Sequence, residues 1–204
     1  MQWHDPASID DIPLSELPNI NSTRLSIYHS AISTFFAPSD LSGVGGMCWE
    51  CIQALPSWWQ GPSCYDTILV STNRKFEGML GLDIGHVQLL FLLTFDDIEY
   101  PCALVDWYNC AADSLDIDTG MWIVKAASDN SAVIHIGSIL RCTHLIPVFG
   151  PQPIDHWLKI TYNELLDAFV AYYVNKYICT KSFSDFFTCY TSVKLVCTIS
   201  CLDL

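Results

Sequence analysis

The stretch Ile84–Tyr108, IGHVQLLFLLTF-DD-IEYPCALVDWY, decides the fold. Within it, Val87 to Phe95 is the longest strongly apolar run of the chain, bounded by His86 and Asp96. Asp96-Asp97 then breaks the run with residues that favour turns, and Glu99 to Tyr108 returns as a second β-rich segment. A long apolar strand, a turn and a returning strand predict an antiparallel pair.

Working outward, Tyr65 to Val70 reads as a strand before the pair. An acidic loop at Asp113 to Asp118 follows it, then Gly120 to Val124, a turn at Ser128-Asp129-Asn130, Ala132 to Ile136, and Leu140 to Phe149. Short apolar runs separated by turn residues predict an antiparallel sandwich or small barrel. No helical stretch of ten or more residues separates them, which is incompatible with a parallel, doubly wound sheet. Upstream, Leu25-x-Ile27-x-His29-x-Ala31 alternates as a strand does, although Leu25, Tyr28, Ile32 and Phe35 also fit a helix. Pro38 to Gly46 is a turn-rich connector. Downstream, Thr161-x-x-Glu164 has the capping-box pattern. It precedes Leu165, Leu166, Phe169, Tyr172, Tyr173 and Lys176 at helical spacing. The expected fold is mainly β (β-rich α+β), a small antiparallel barrel or sandwich with a C-terminal helix. Its expected divisions are an acidic, proline-containing tail over 1–22, an N-terminal extension over 23–63, and the barrel over 64–150. A linker and helix over 151–177 and a Cys/Ser/Thr-rich tail over 178–204 complete it.

The 204 residues are 51% hydrophobic and 15% charged, a balance that supports a packed core rather than a disordered chain. No apolar run approaches the ~18–20 residues that span a bilayer. Met1 to Asp5 lacks the basic and apolar regions of a signal peptide. A soluble, intracellular chain is therefore expected. The net charge is -13, and Phe76 to Val124 holds nine acids and no Lys or Arg. Affinity for nucleic acid comes largely from cation contacts to phosphate, so direct nucleic-acid binding by this central segment is excluded.

Ten cysteines raise the question of metal or redox chemistry. Cys48-x-x-Cys51 followed by Cys64 offers three ligands, but structural zinc sites use four, usually as two close pairs. A thioredoxin-like motif needs a preceding strand in a βαβ unit. The cysteines are therefore read as free thiols, with no metal and no cofactor. Asp116-x-Asp118-x-Gly120 resembles the start of a calcium loop, yet the bidentate Glu required at its twelfth position is replaced by Ala127. Ser42-Gly43-Val44-Gly45-Gly46 lacks the spacing of a phosphate-binding turn. His135 and His144 lie in β-rich runs and read as structural. No catalytic residue is assigned. Tyr100, Trp107, Tyr108 and Trp122 are the candidate aromatic interaction surface, set against the ordinary alternative that aromatics at alternating strand positions fill the core.

One family resemblance adds to this reading. Ala37-Pro38-Ser39-Asp40-Leu41-Ser42-Gly43-Val44-Gly45-Gly46-Met47, Tyr100-Pro101-Cys102-Ala103-Leu104-Val105, Thr119-Gly120-Met121-Trp122 and His144-Leu145-Ile146-Pro147-Val148-Phe149-Gly150 occur in order, followed by Ala171-Tyr172-Tyr173-Val174-Asn175-Lys176-Tyr177. The set resembles the C-terminal region of the Plavaka transposases of mushroom-forming (basidiomycete) fungi, related to the Kyakuja-Dileera-Zisupton group, over about Thr23 to Tyr177. The resemblance implies a transposon-derived fragment that lacks the upstream nuclease core. Its ancestral role in DNA transposition would be contact with a protein partner, chromatin or other transposase domains, in the nucleus. Val105-Asp106-Trp107-Tyr108 and Val133 to Ile139 are also similar to the small SH3-like barrels of chromatin proteins, of the bromo-adjacent-homology kind. A stand-alone β-barrel interaction module retained by the host is the second reading, and a thiol- or zinc-dependent enzyme the third.

Where the family tends to carry arginine, this chain has Cys48, Trp49 and Cys51, with Trp59, Cys64 and Cys110 as further replacements of the same kind. Deamination of methylated CpG in arginine codons yields Cys and Trp codons. Three arginines, ten cysteines and seven tryptophans are expected to record such decay. Trp and Cys on the surface add apolar patches and oxidisable thiols, so poor solubility is expected.

Overall fold

The computed structural model describes residues 24–36, 46–57, 61–72, 81–150, 164–175 and 192–196. The 1–22 tail, the connector from Pro38 to Gly45, the cap at Thr161, Trp59 and most of 178–204 lie outside them. In chain order the described strands are β1 (Arg24–Tyr28), β2 (Ser30–Phe36), β3 (Met47–Leu55), β4 (Cys64–Tyr65), β5 (Thr67–Ser71) and β6 (Leu82–Phe95). They continue with β7 (Ile98–Cys110), β8 (Ile123–His135), β9 (Ile139–Thr143), β10 (Leu145–Pro147), β11 (Tyr172–Val174) and β12 (Ser192–Val196). One short helix, α1 (Leu165–Ala168), precedes β11. The fold is mainly β, and every described strand pair is antiparallel.

The apolar run and its return form the long pair β6–β7, with Phe95 opposite Ile98 across a two-residue turn. Asp96 and Asp97 have φ of 49° and 59°. Positive φ at both central positions is the turn whose twist matches paired strands, and a short polar Asp tolerates it. Around this pair one sheet runs in the order β10-β11-β8-β7-β6-β5-β9, with β1 also paired to β6; a second runs β12-β2-β3-β4.

The chain passes between the sheets at two corners. His29 separates β1 in the large sheet from β2 in the small one, and Asp66 separates β4 from β5. Asp66 ties its corner on three sides. Its N–H donates to Gln53 O at 3.0 Å, its carboxylate accepts from Gln53 N at 2.7 Å, and its carbonyl accepts from Val87 N at 2.9 Å.

The two faces of the large sheet bury different cores. Ile68, Val70, Val87, Leu90, Ala103 and Val105 pack with Ala31, Ile52 and Ala54 of the small sheet. Leu69, Leu82, Ile84, Tyr108 and Val124 pack on the opposite face with Leu145, Tyr172 and Val174. Strand β5 is buried on both sides, which explains its unbroken Ile-Leu-Val composition. The register shifts between Val87 and Leu89, so Val87 and Leu90 share a face although they are three positions apart.

Three expectations are corrected. The described residues of 23–63 are not an appendage to a 64–150 barrel, since β2 and β3 supply Ala31, Ile52 and Ala54 to the first core. The C-terminal helix stops at Ala168: Phe169 is extended (φ -121°, ψ 152°), and Tyr172–Val174 pairs with both β10 and β8. The Tyr172 hydroxyl lies within 3.0 Å of the Leu165, Leu166 and Phe169 carbonyls and accepts from Phe169 N at 3.3 Å. It therefore serves the helix end from a strand, and tertiary pairing overrides the helical spacing. Finally, Ser128 to Asn130 is not a turn between two strands, because β8 runs through it, with a register irregularity between Asp106 and Tyr108 on β7.

Candidate functional site

The four aromatic candidates do not form one surface. Trp107 packs against the first core, whereas Tyr108 and Trp122 belong to the second, on the other face of the sheet. Tyr108 meets Tyr172 edge-on at 6.1 Å. Neighbouring strand residues point to opposite faces, so Trp107 and Tyr108 are held apart by the backbone itself. Tyr100 is exposed near the β6–β7 turn.

A polar seam joins the two sheets. Strand β9 pairs with β5 along one edge, while Leu140 and Cys142 turn their backbone groups to the other. Ser33 Oγ donates to Leu140 O at 2.8 Å, and a Glu50 carboxylate oxygen accepts from Cys142 N. Ser33 and Glu50 stand opposite each other across β2 and β3. One cross-strand pair thus takes the place of a neighbouring strand at this edge. The second Glu50 oxygen lies 3.3 Å from Arg141 Nη2, and the guanidinium sits over the Phe35 ring at 4.5 Å. The Arg141 side chain is 6% exposed, and its Nη1 has no hydrogen-bond partner.

Beside this seam lies an open cavity of about 580 Å³, lined among others by Glu50, Cys51, Asp66, Cys142 and His144. Burial raises the Glu50 carboxyl pKa above its ordinary value, outweighing Arg141 and the Cys142 N–H, which lower it. Burial likewise raises Asp66, against the Gln53 N–H and His144. Burial, together with Glu50 and Asp66, pushes the Cys142 thiol far up. Cys51 and Cys64 are raised first by burial and then by Asp66. The thiolate is the nucleophilic form, so these cysteines are poor nucleophiles. Both carboxylates already serve the fold. The site can accept protons and small polar groups, but it presents no activated nucleophile.

Among the described residues no cluster of three or more His, Cys, Asp or Glu side chains could hold a metal ion. In the acidic loop, Asp116 Oδ2 accepts from Thr119 N at 2.9 Å and from Thr119 Oγ1 at 2.7 Å, contacts that lower its pKa. The calcium-like spacing is therefore a local turn. No helix among the described residues is long and apolar enough to cross a membrane.

The outer face of β1-β6-β7-β8 is different in kind. Leu93 stands between Leu25 and Tyr100, Ile27 opposite Phe91, and Leu104 between Leu89 and Val133. Residues opposite one another share a face, so these side chains form continuous apolar rows. Ile98 extends them at the turn. Ile27 is 59% and Val133 60% exposed, with Leu25, Ile98 and Tyr100 also exposed, whereas Phe91 and its partner Cys102 on the same face are buried. The second core covers only the far half of this face. The signal was present in the sequence, where Val87 to Phe95 is apolar at every position except Gln88 and Thr94. Which of the two apolar faces stays open depends on the register shift after Val87.

In comparisons with known proteins, no family model, no curated protein and no solved structure matches the chain.

Proposed function

We propose that this chain is a non-catalytic protein-interaction module, a fragment derived from the C-terminal region of a Plavaka-type transposase, that docks a partner in the nucleus through the outer face of β1-β6-β7-β8. The carrying observation is the apolar face itself. Its reverse side is core, so the sheet is rigid, and an apolar face on a rigid sheet that exposes Leu25, Ile27, Ile98, Tyr100 and Val133 marks an interaction site. The transposon origin rests on the ordered motifs from Ala37 to Tyr177 and on the replaced arginines. Trp49 is 71% exposed, and Cys51 and Cys110 are exposed too, as positions once held by arginine would be; Cys48 is buried.

The test is retention of proteins from a fungal nuclear extract by the immobilised chain and by an Ile27→Asp/Val133→Asp variant with matched melting. Discrete proteins held by the wild type and lost by the variant are expected. Identical retention by both would remove the docking face. For the origin, intact CGN codons at these positions in sister copies of the locus are expected, and Cys or Trp codons there would refute it.

A further inference from the structure

The outer edge of β1 pairs with no strand among the described residues, and the sequence of β1 itself carries few of the usual protections of an edge. It has no proline, no inward charge and no bulge; Arg24 at one end is its only charged residue. Its Leu25 and Ile27 project onto the apolar face, so a strand added here would extend the apolar rows by one. Apart from Arg24 itself, the charged residues at this end of the edge are acidic. Arg24 lies opposite Thr94, one residue from the turn pair, where Asp96, Asp97 and Glu99 are all exposed.

We propose, resting on the docking-face reading, that the free edge of β1 receives an extended segment of a partner protein whose apolar residues alternate with, or are flanked by, Lys and Arg. Backbone hydrogen bonds to β1 supply the affinity of such strand addition, and alternate side chains set its selectivity. The apolar set lies along Leu25 and Ile27, while the basic set answers the acids at the β6–β7 turn. A second copy of this chain fits poorly, since joining two edges brings together two chains of net charge -13, each with three acids beside the contact.

The test uses the full chain and short labelled peptides in fluorescence anisotropy. One peptide alternates Val with Lys, one alternates Val with Glu, and one repeats the Val/Lys sequence with N-methylated amides along one edge. The Val/Lys peptide is expected to bind at least about tenfold more tightly than the Val/Glu peptide, with an affinity that falls as salt rises. N-methylation is expected to cost about tenfold, and Ile27→Asp to abolish binding. Asp96→Asn/Asp97→Asn keeps residues that tolerate the turn and is expected to weaken binding by about threefold to tenfold. Equal binding of the Val/Glu peptide overturns the basic partner, and equal binding of the methylated peptide overturns strand addition; either result leaves the docking face standing. Failure of every peptide, while Ile27→Asp/Val133→Asp still loses the nuclear proteins, overturns this inference alone. Failure of every peptide together with unchanged retention removes the docking face as well. A dimer in sedimentation that Ile27→Asp dissolves assigns the edge to a second copy and overturns the proposal.

Discussion

Replacing Glu50 with Ala strikes the seam at its narrowest point. The change removes the anion that contacts Arg141, whose side chain is 6% exposed, and also the acceptor of the Cys142 N–H. Breaking a buried ion pair from one side costs about 3–5 kcal/mol, and orphaning a buried N–H about 1–3 kcal/mol. The two do not add in full, because the cavity of about 580 Å³ beside Glu50 lets water reach the freed groups. The expected loss is about 3–4 kcal/mol, within the range for a one-sided break. Glu50→Gln keeps an acceptor for the Cys142 N–H but turns an amide N–H donor toward Arg141 Nη2, so it should recover only about 1–2 kcal/mol of the Glu50→Ala loss. Glu50→Leu combined with Arg141→Met removes both charges and keeps an apolar stem over Phe35. It is expected to cost about 1–3 kcal/mol, the share of the orphaned Cys142 N–H, and so less than Glu50→Ala, because no buried charge is left unpaired. Urea unfolding followed by tryptophan fluorescence, with slopes compared between variants, measures all three. If Glu50→Ala costs under about 0.5 kcal/mol, or the double variant costs as much as Glu50→Ala, the seam does not hold the sheets as described.

Three further predictions follow from packing and ionisation. Glu50 and Asp66 are raised in the folded state above ordinary values of 4.5 and 3.8. The folded state therefore keeps protons that the unfolded chain has released, so their contribution to stability declines as pH rises through that window and levels off above it. Asp66→Asn, which keeps an acceptor for Gln53 N–H, should flatten this slope and raise stability at neutral pH; urea midpoints measured from pH about 4 to about 7 check it, and an unchanged slope would count against burial as the cause. A Cβ at Gly85 would lie 3.2 Å from Val105 Cβ, so Gly85→Ala should cost about 1–3 kcal/mol in urea unfolding, and a neutral effect would show that β6 and β7 can part there. Tyr172→Phe removes the hydroxyl that serves the carbonyls of Leu165, Leu166 and Phe169 and should cost about 1–3 kcal/mol, with faster amide exchange at Phe169. Unchanged exchange would mean that α1 needs no such support.

The residues themselves determined the strand-rich architecture, because period-two apolar runs and turn residues act locally. Ile84–Tyr108 announces its own hairpin: the apolar run must be buried, and Asp96-Asp97 accepts the positive φ that a tight return needs. The acidic character of the central segment is an equally local fact. What the tertiary structure alone decided are the relations between distant segments. Spacing made Leu165 to Lys176 look like one helix, yet Tyr172–Val174 gains more from pairing with β10 and β8. No pattern couples Ser33 and Glu50 to the edge of β9, because that contact joins residues more than ninety positions apart. The open apolar face is decided the same way. A single register shift after Val87 sets which alternate side chains meet the first core and which are left facing outward.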